Sequence, residues 1–373
     1  MIRTIASVAR GEGFASVARR GAERIGEAWQ RQLRIARGML TRPERVAILN
    51  VLATSPSSRL GGLQIQLKSR LREERKLREV ALLHPGVLEV SARAWRSSAF
   101  GVPLGQAIAN AMSRTAARAI VLEGTEGVPI DQILRIDDVV VAIHDLSLTH
   151  DPSAQEFLRH VRAIIFPSAF LRDHYREQFE LSDRVVHIIE PGIEVGAIQH
   201  TDRKRNRIAF AGNVRAHKGG LLLAAIIEAV PSAEWHIFGG GDENLLRMLR
   251  HMPSTFVHGY YRAGSLPALL ARHEIGLALL PSVVPESYSL ALSECWQAGV
   301  PVVAFDHGAH AERIRRDGGG WLARLDAGAA GIAGIVRRWM SDELTATIPV
   351  ITRTPRDAAE AHVSLYRSLG LLD

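Results

Sequence analysis

The sequence predicts an α/β protein of two Rossmann-like domains, each a parallel sheet covered by helices, facing one another across a cleft. Three observations carry this. Short apolar runs alternate with helix-like segments from residue 46 onward, and such alternation implies parallel sheets buried on both faces. The alternation breaks at a polar stretch, "HTDRKRNR" (200–207), and then restarts. A length of 373 residues also favours two domains over one large core.

Taken in order, residues 1–45 form a basic arm. They hold ten arginines against Glu12, Glu23, Glu27 and Glu44, a net +6 out of the chain's +7. Trp29, Leu33, Ala36 and Leu40 recur at helical spacing opposite arginines. Two readings stand: an amphipathic helix packed on the body, or a peripheral grip on an anionic membrane surface. A nucleic-acid binder would more often spread basic residues over a folded face with interleaved aromatics, so no nucleic-acid partner is expected. The first domain, 46–192, opens with "RVAILNVLAT", the loop "SPSSRLGG" and a helical stretch from Leu63 to about Glu79. It continues through "VALLH", "LEVSA", "AIVLEG", "VVVAIHD", "AIIFPS" and "VVHIIEPG". A linker falls at 193–206. The second domain, 207–350, carries "IAFAGN", "EWHIFGGG", "STFVHG", "IGLALLPS" and "PVVAF". The helical "PRDAAEAHVSLYRSLG", within 351–373, lies beyond the second sheet and is a candidate to cross back to the first.

Composition narrows the function class. Hydrophobic content of 47% with 23% charged residues is ordinary for a soluble globular protein. No apolar run approaches the ~18 residues that span a bilayer, and no secretory signal is evident. A single cysteine, Cys295, excludes an internal disulfide and a cysteine metal cluster, which suits a reducing cytoplasm.

In open parallel sheets, ligands bind beyond the carboxyl ends of strands, and the chemically interesting residues lie there. Gly61 and Gly62 follow the first strand and precede a helix. They fit either a phosphate approach or a tight strand-to-helix turn. "FGGGDEN" lacks the dinucleotide glycine spacing and no Walker lysine pattern occurs, so nicotinamide enzymes and P-loop ATPases are disfavoured. Lys218 is one of only four lysines. It reads either as an anion site among free helix N–H groups, with Arg215 upstream, or as a surface lysine at a helix start. Glu286 and Glu294 bracket the start of a helix placed near Tyr288 or Ser289. The unpaired N–H groups there suit a diphosphate, and the carboxylates suit hydroxyls of a sugar and a ribose.

The segment from about Arg207 to Leu322 resembles the donor domain of family-4 retaining glycosyltransferases with the GT-B fold. The likeness rests on "FAGNVRAHKG", "FGGGDE", "FVHGYY", "LALLPSVVPESYSLALSECWQAGVPVVA" and "GAHAERI…GGGWL". "TSPSSRLGGLQ", "VAIHDLSL", "IIFPSAFLRDHY" and "VVHIIEPGIE" extend it back to Val46. The resemblance implies that Lys218 binds the donor diphosphate, Glu294 the ribose and Glu286 the transferred sugar. The backbone of Tyr288, Ser289 and Leu290 would hold phosphate. Gly61 and Gly62 would close on the donor, His144 would line the sugar pocket and orient, and His258 and Tyr260 would complete the binding residues. Without the family match, a lone histidine after a strand reads as structural. Asn213 stands where the family has arginine, so Arg215 is the candidate replacement. Tyr288–Ser289 stands where the family has Phe-Gly.

The reaction so implied is retaining transfer from a nucleotide-diphosphate sugar to a hydroxyl of a glycan or lipid-linked sugar. No Asp-x-Asp triplet occurs, so neither a metal nor another cofactor is expected. The expected setting is polysaccharide biosynthesis in the cytoplasm, with the arm as a peripheral membrane contact. A nucleotide-sugar epimerase of the same fold, or a non-catalytic interaction protein built on it, are the alternatives. Nucleotide release and its dependence on an acceptor would separate them.

Overall fold

The computed structural model describes residues 45–54, 62–85, 87–90, 93–96, 103–183, 185–194 and 202–373. The basic arm up to residue 44, with its apolar stripe, and Gly61 lie outside the described residues. The described chain divides into two compact units, residues 45–192 with Arg353–Asp373, and Ile193–Thr352.

The first unit is built on eight strands: β1 (Ile48–Val51), β2 (Ala81–His84), β3 (Val87–Val90), β4 (Arg93–Arg96), β5 (Ala119–Glu123), β6 (Val139–Ala142), β7 (Ala163–Phe166) and β8 (Val186–Ile188). Their order is β4-β3-β2-β1-β5-β6-β7-β8. The six from β2 through β1 to β8 run parallel. The near-continuous apolar runs of β1, β2, β5, β6 and β7 are buried, as a sheet covered on both faces requires, while β8 at the edge is half-buried to exposed. The sheet is not wholly parallel, however: β3 and β4 are antiparallel. Only two residues separate His84 from Val87, and a parallel crossover needs a dozen or more. Helices α1 (Gly62–Glu74), α2 (Leu104–Thr115), α3 (Ile130–Ile133), α4 (Ala154–His160) and α5 (Ala169–Gln178) connect the strands. Ser168 caps α5, its Oγ accepting from the Leu171 N–H at 3.1 Å.

The second unit has a six-stranded, wholly parallel sheet of β9 (Lys204–Ala211), β10 (Glu234–Phe238), β11 (Thr255–Gly259), β12 (Ile275–Leu280), β13 (Val302–Phe305) and β14 (Gly320–Ala323). β9 starts at Lys204, inside the polar stretch that reads as linker. Its first half alternates exposed and half-buried residues and only "IAFA" is buried, so burial marks the strand's second half alone. The order β11-β10-β9-β12-β13-β14 is the 3-2-1-4-5-6 order of a Rossmann fold, whose switch point lies between the first and fourth strands. Helices α6 (Leu223–Ala229), α7 (Glu243–Arg250), α8 (Leu266–Arg272), α9 (Leu290–Gln297), α10 (Gly308–Asp317) and α11 (Gly328–Met340) cover it. β12 is buried at every position, as befits a central strand.

The last helix, α12 (Pro355–Ser368), belongs to the first unit. A reciprocal capping box of Thr354 and Asp357, with proline in the first turn, starts it. Tyr366 is fully buried in one apolar cluster with Ile48, Val121 and Ile165, and its hydroxyl lies 3.4 Å from Arg70 of α1. Arg70 is itself buried, paired with Glu74 at 2.6 Å and with Glu123, so these interior charges compensate one another.

Candidate active site

The loop after β9 and the loop after β12 meet at the switch point of the second sheet. The first runs from Gly212 through a short 3-10 turn, Ala216–Lys218. The second runs from Pro281 to Ser289. They touch closely: a Cβ on Gly219, whose φ is +79°, would lie 2.1 Å from the carbonyl oxygen of Pro281. Val283 N–H donates to the His217 carbonyl at 3.0 Å, and the Ser282 hydroxyl points at the same carbonyl at 3.0 Å. These contacts place Lys218 opposite Glu286, and the two side chains form an ion pair.

Burial pushes the Glu286 carboxyl up, but Lys218, then His310, with a hydrogen bond from Ser282, outweigh it and hold the group below its ordinary range. The Glu286 backbone is tied as well, its carbonyl accepting from the Ala309 N–H at 2.8 Å at the start of α10. His310, the next residue of that helix, is buried and its Nε2 meets no hydrogen-bond partner among the described residues. Burial lowers its pKa to about 4 against the pull of Glu286, so the imidazole is neutral at pH 7.

Ser289 caps α9, its Oγ accepting from the Leu292 N–H at 3.3 Å. It does so at φ +70°, a backbone conformation that glycine adopts without cost and serine does not. Arg313 supports this corner from α10. It is 2% exposed, donates to the carbonyls of Tyr288 (3.1 Å) and Ser289 (3.0 Å) and to Ser293 Oγ (2.8 Å), and lies over the rings of Tyr288 and Trp296. With those carbonyls held inward, half-buried Leu290 opens the helix. Glu294 is buried within α9 and accepts from the Gly264 N–H at 2.9 Å. Burial raises its pKa to about 7, the Gly264 bond opposing.

Several expectations change in detail. Lys218 does not sit among free helix N–H groups. α6 begins only at Leu223, and the N–H groups of Lys218, Gly219 and Gly220 donate to carbonyls of Arg215 and Ala216. Arg215 is exposed and Asn213 half-buried. The glycine triplet after β10 locks loops together: a Cβ on Gly239 would meet the Gly212 carbonyl oxygen at 1.8 Å, and one on Gly240 the Tyr260 ring at 1.9 Å. Tyr260 therefore covers that triplet. The "DE" that follows is a helix start, with Asp242 accepting from Asn244 and Leu245 N–H groups at 2.9 and 3.1 Å. His258 faces His236 and His273. In the first unit, His144 follows β6, half-buried, and its Nε2 finds no hydrogen-bond partner among the described residues. Burial and the Arg70 charge lower its pKa to about 4. Gly62 is the exposed first residue of α1. The sequence reasoning missed Ser282, His310 and Arg313. Only the motif "GAHAERI" hinted at the last two.

Residues 205–342 match the family described as "Glycosyl transferases group 1". The second unit is a group 1 glycosyl transferase domain. Three solved structures are similar over most of the chain. HepE of Anabaena, in complex with UDP and glucose, is 15% identical, with 86% of this chain and 95% of that one covered and a TM-score of 0.61. Sucrose-phosphate synthase of Thermosynechococcus elongatus is 16% identical, with 87% and 97% covered and a TM-score of 0.63. A glycosyltransferase of Rickettsia africae is 11% identical, with 87% and 98% covered and a TM-score of 0.60. No curated protein matches the chain. At these identities the structures establish the fold, which is GT-B. The matched domain is that of a glycosyltransferase, and Lys218 and Glu286 lie on its switch-point loops.

Proposed function

We propose that this glycosyltransferase moves a sugar, with retention of configuration, from a nucleotide-diphosphate donor to a hydroxyl of a glycan or lipid-linked sugar, without a metal bridging the diphosphate. The observation that carries the reading is the Lys218–Glu286 pair at the switch point of the second sheet. A Rossmann sheet binds its ligand there, and an ammonium beside a carboxylate offers one group for phosphate and one for sugar hydroxyls. The solved relative holding UDP and glucose supports a donor of that class.

In this reading the donor diphosphate draws Lys218 away from Glu286. The freed carboxylate accepts hydroxyls of the transferred sugar, and Lys218, with exposed Arg215, meets the charge that develops on the leaving diphosphate. Glu294 receives the ribose hydroxyls. Leu290 and its neighbours Tyr288 and Ser289 present backbone N–H groups to phosphate. His144, neutral at pH 7, orients the sugar and takes no proton, while the acceptor proton passes to the departing phosphate on the same face. The absence of an Asp-x-Asp triplet supports metal-free transfer. A lipid-linked acceptor would give the basic arm of residues 1–45 a purpose, holding the site at an anionic surface.

The test is nucleotide release from a panel of nucleotide sugars, with and without acceptor, by the wild type and by Lys218→Ala. Acceptor-dependent release that falls by about 100- to 1,000-fold in the variant is expected, the loss usual for one donor in such an electrostatic site. Wild-type turnover in Lys218→Ala would remove the pair from the mechanism.

A further inference from the structure

Three imidazoles converge at the β10–β11 edge of the second unit's sheet and the end of α8. His236 is the central residue of β10, His258 lies near the end of β11, and His273 follows α8. β10 and β11 pair in register from Trp235 with Thr255 to Ile237 with Val257, then shift so that Phe238 faces Gly259. The rings of His236 and His258 stack 8° from parallel, with His236 Nδ1 3.0 Å from His258 Nε2. The ring centre of His273 lies 4.4 Å from that of His258. One nitrogen from each of the three lies within 4.8 Å of the others.

The surroundings fix how these nitrogens are presented. Glu234 Oε1 lies 2.8 Å from His236 Nε2, so that nitrogen carries the proton and donates to the carboxylate. Nδ1 is left with its lone pair facing the other two rings. Glu234 is held in turn by Arg207, whose Nε lies 3.0 Å away. Arg207 is paired in turn with Glu274 at 2.6 Å, which offsets part of its charge. A carboxylate behind a histidine is the arrangement that orients metal-ligating imidazoles and raises their basicity. His236 is buried, while His258 and His273 are half-buried, which leaves a route from solvent.

We propose that His236 Nδ1, His258 Nε2 and a ring nitrogen of His273 form a binding site for a first-row divalent cation that prefers nitrogen ligands, Zn2+ foremost, with water in the fourth position. Nitrogen donors suit zinc, copper and nickel and not magnesium or calcium. A tetrahedral zinc about 2.0–2.1 Å from each ligand keeps the nitrogens roughly 3.3 Å apart. The His236–His258 pair is near that spacing, and a side-chain rotation at the end of α8 brings in His273. On binding, the proton shared between His258 Nε2 and His236 Nδ1 moves to His258 Nδ1, so three neutral ligands hold the ion and no proton need be lost. The site does not depend on the proposed sugar transfer.

The test uses the untagged full chain, stripped with EDTA and desalted, titrated with Zn2+ against a chromogenic chelator and with Co2+ by visible absorption. Wild type should take up one equivalent of Zn2+ and show the visible bands of four-coordinate Co2+. His258→Gln and His273→Gln should each lose that uptake, and Glu234→Gln should weaken it about 10- to 100-fold, as loss of such an outer partner does. Thermal unfolding in EDTA checks that each variant folds. If His258→Gln does not fold, His273→Gln, on a half-buried helix end, decides the question. Failure of the wild type to bind either ion, or uptake that survives both histidine substitutions, would overturn the site.

Discussion

Glu294 and Ser289 are the two residues of the site whose energetics are most exposed to measurement. The Glu294 carboxyl titrates near 7 in the folded chain against an ordinary value of 4.5. A group whose pKa is raised on folding favours the folded state below its unfolded pKa and loses that advantage as pH rises through the folded value. Stability should therefore fall between about pH 4.5 and 7 by roughly 3 kcal/mol through this one group. In Glu294→Gln that part of the slope should disappear, which urea midpoints at pH 5 and pH 8 would read directly. An unchanged slope would mean the carboxyl is better solvated than its surroundings indicate. Ser289 carries a different strain. Its φ of +70° costs a residue with a side chain on the order of 1 kcal/mol, and replacing serine by glycine at an N-cap costs only a few tenths. Ser289→Gly should thus stabilise the chain by about 0.5–1 kcal/mol, raising the thermal midpoint. A drop in that midpoint would show that the Ser289 cap outweighs the strain.

Among the elements, the loops at the ends of β9, β10 and β11 act as one body. Bridges join Val214 to Gly241 and Gly239 to Gly259, and Gly239 leaves no room for a side chain against the Gly212 carbonyl. Gly239→Ala forces both an unfavourable φ of +137° and a clash with backbone that cannot rotate away. It should destabilise the second unit by about 2–4 kcal/mol, with the Gly212–Lys218 loop loosened, as chemical denaturation and amide exchange there would show. Wild-type stability would mean these loops are not coupled. The glycine triplet was visible in the sequence, but its purpose was not. A run of three glycines after a strand reads as phosphate contact or as close packing with equal ease, and only the partner loop distinguishes them. Strands β3 and β4, at one end of the first sheet, are a similar case: the two-residue gap after His84 dictates an antiparallel return, yet apolar runs alone give no direction.

At the scale of the molecule, the fold and its ligand chemistry separate into testable parts. Among the described residues, no helix is long and apolar enough to cross a membrane. With no Asp-x-Asp triplet, transfer in EDTA should match transfer in magnesium, measured as nucleotide release over minutes. Loss in chelator reversed by magnesium would refute metal-free transfer. Loss reversed by zinc alone would instead report on the histidine cluster.

The sequence by itself determined the α/β class and the alternation of strands, helices and the loops that carry Lys218 and Glu286. It could do so because strand burial, helix periodicity and loop composition are local properties of the chain. Tertiary structure decided the strand order, and with it the juxtaposition of β9 and β12 that sets Lys218 against Glu286 across 68 residues of sequence. It also decided the burial that shifts Glu294 and His310, the Arg313 support of the Tyr288–Ser289 corner and the meeting of His236, His258 and His273. Each depends on which surfaces lose water together, and no spacing along a single chain encodes that.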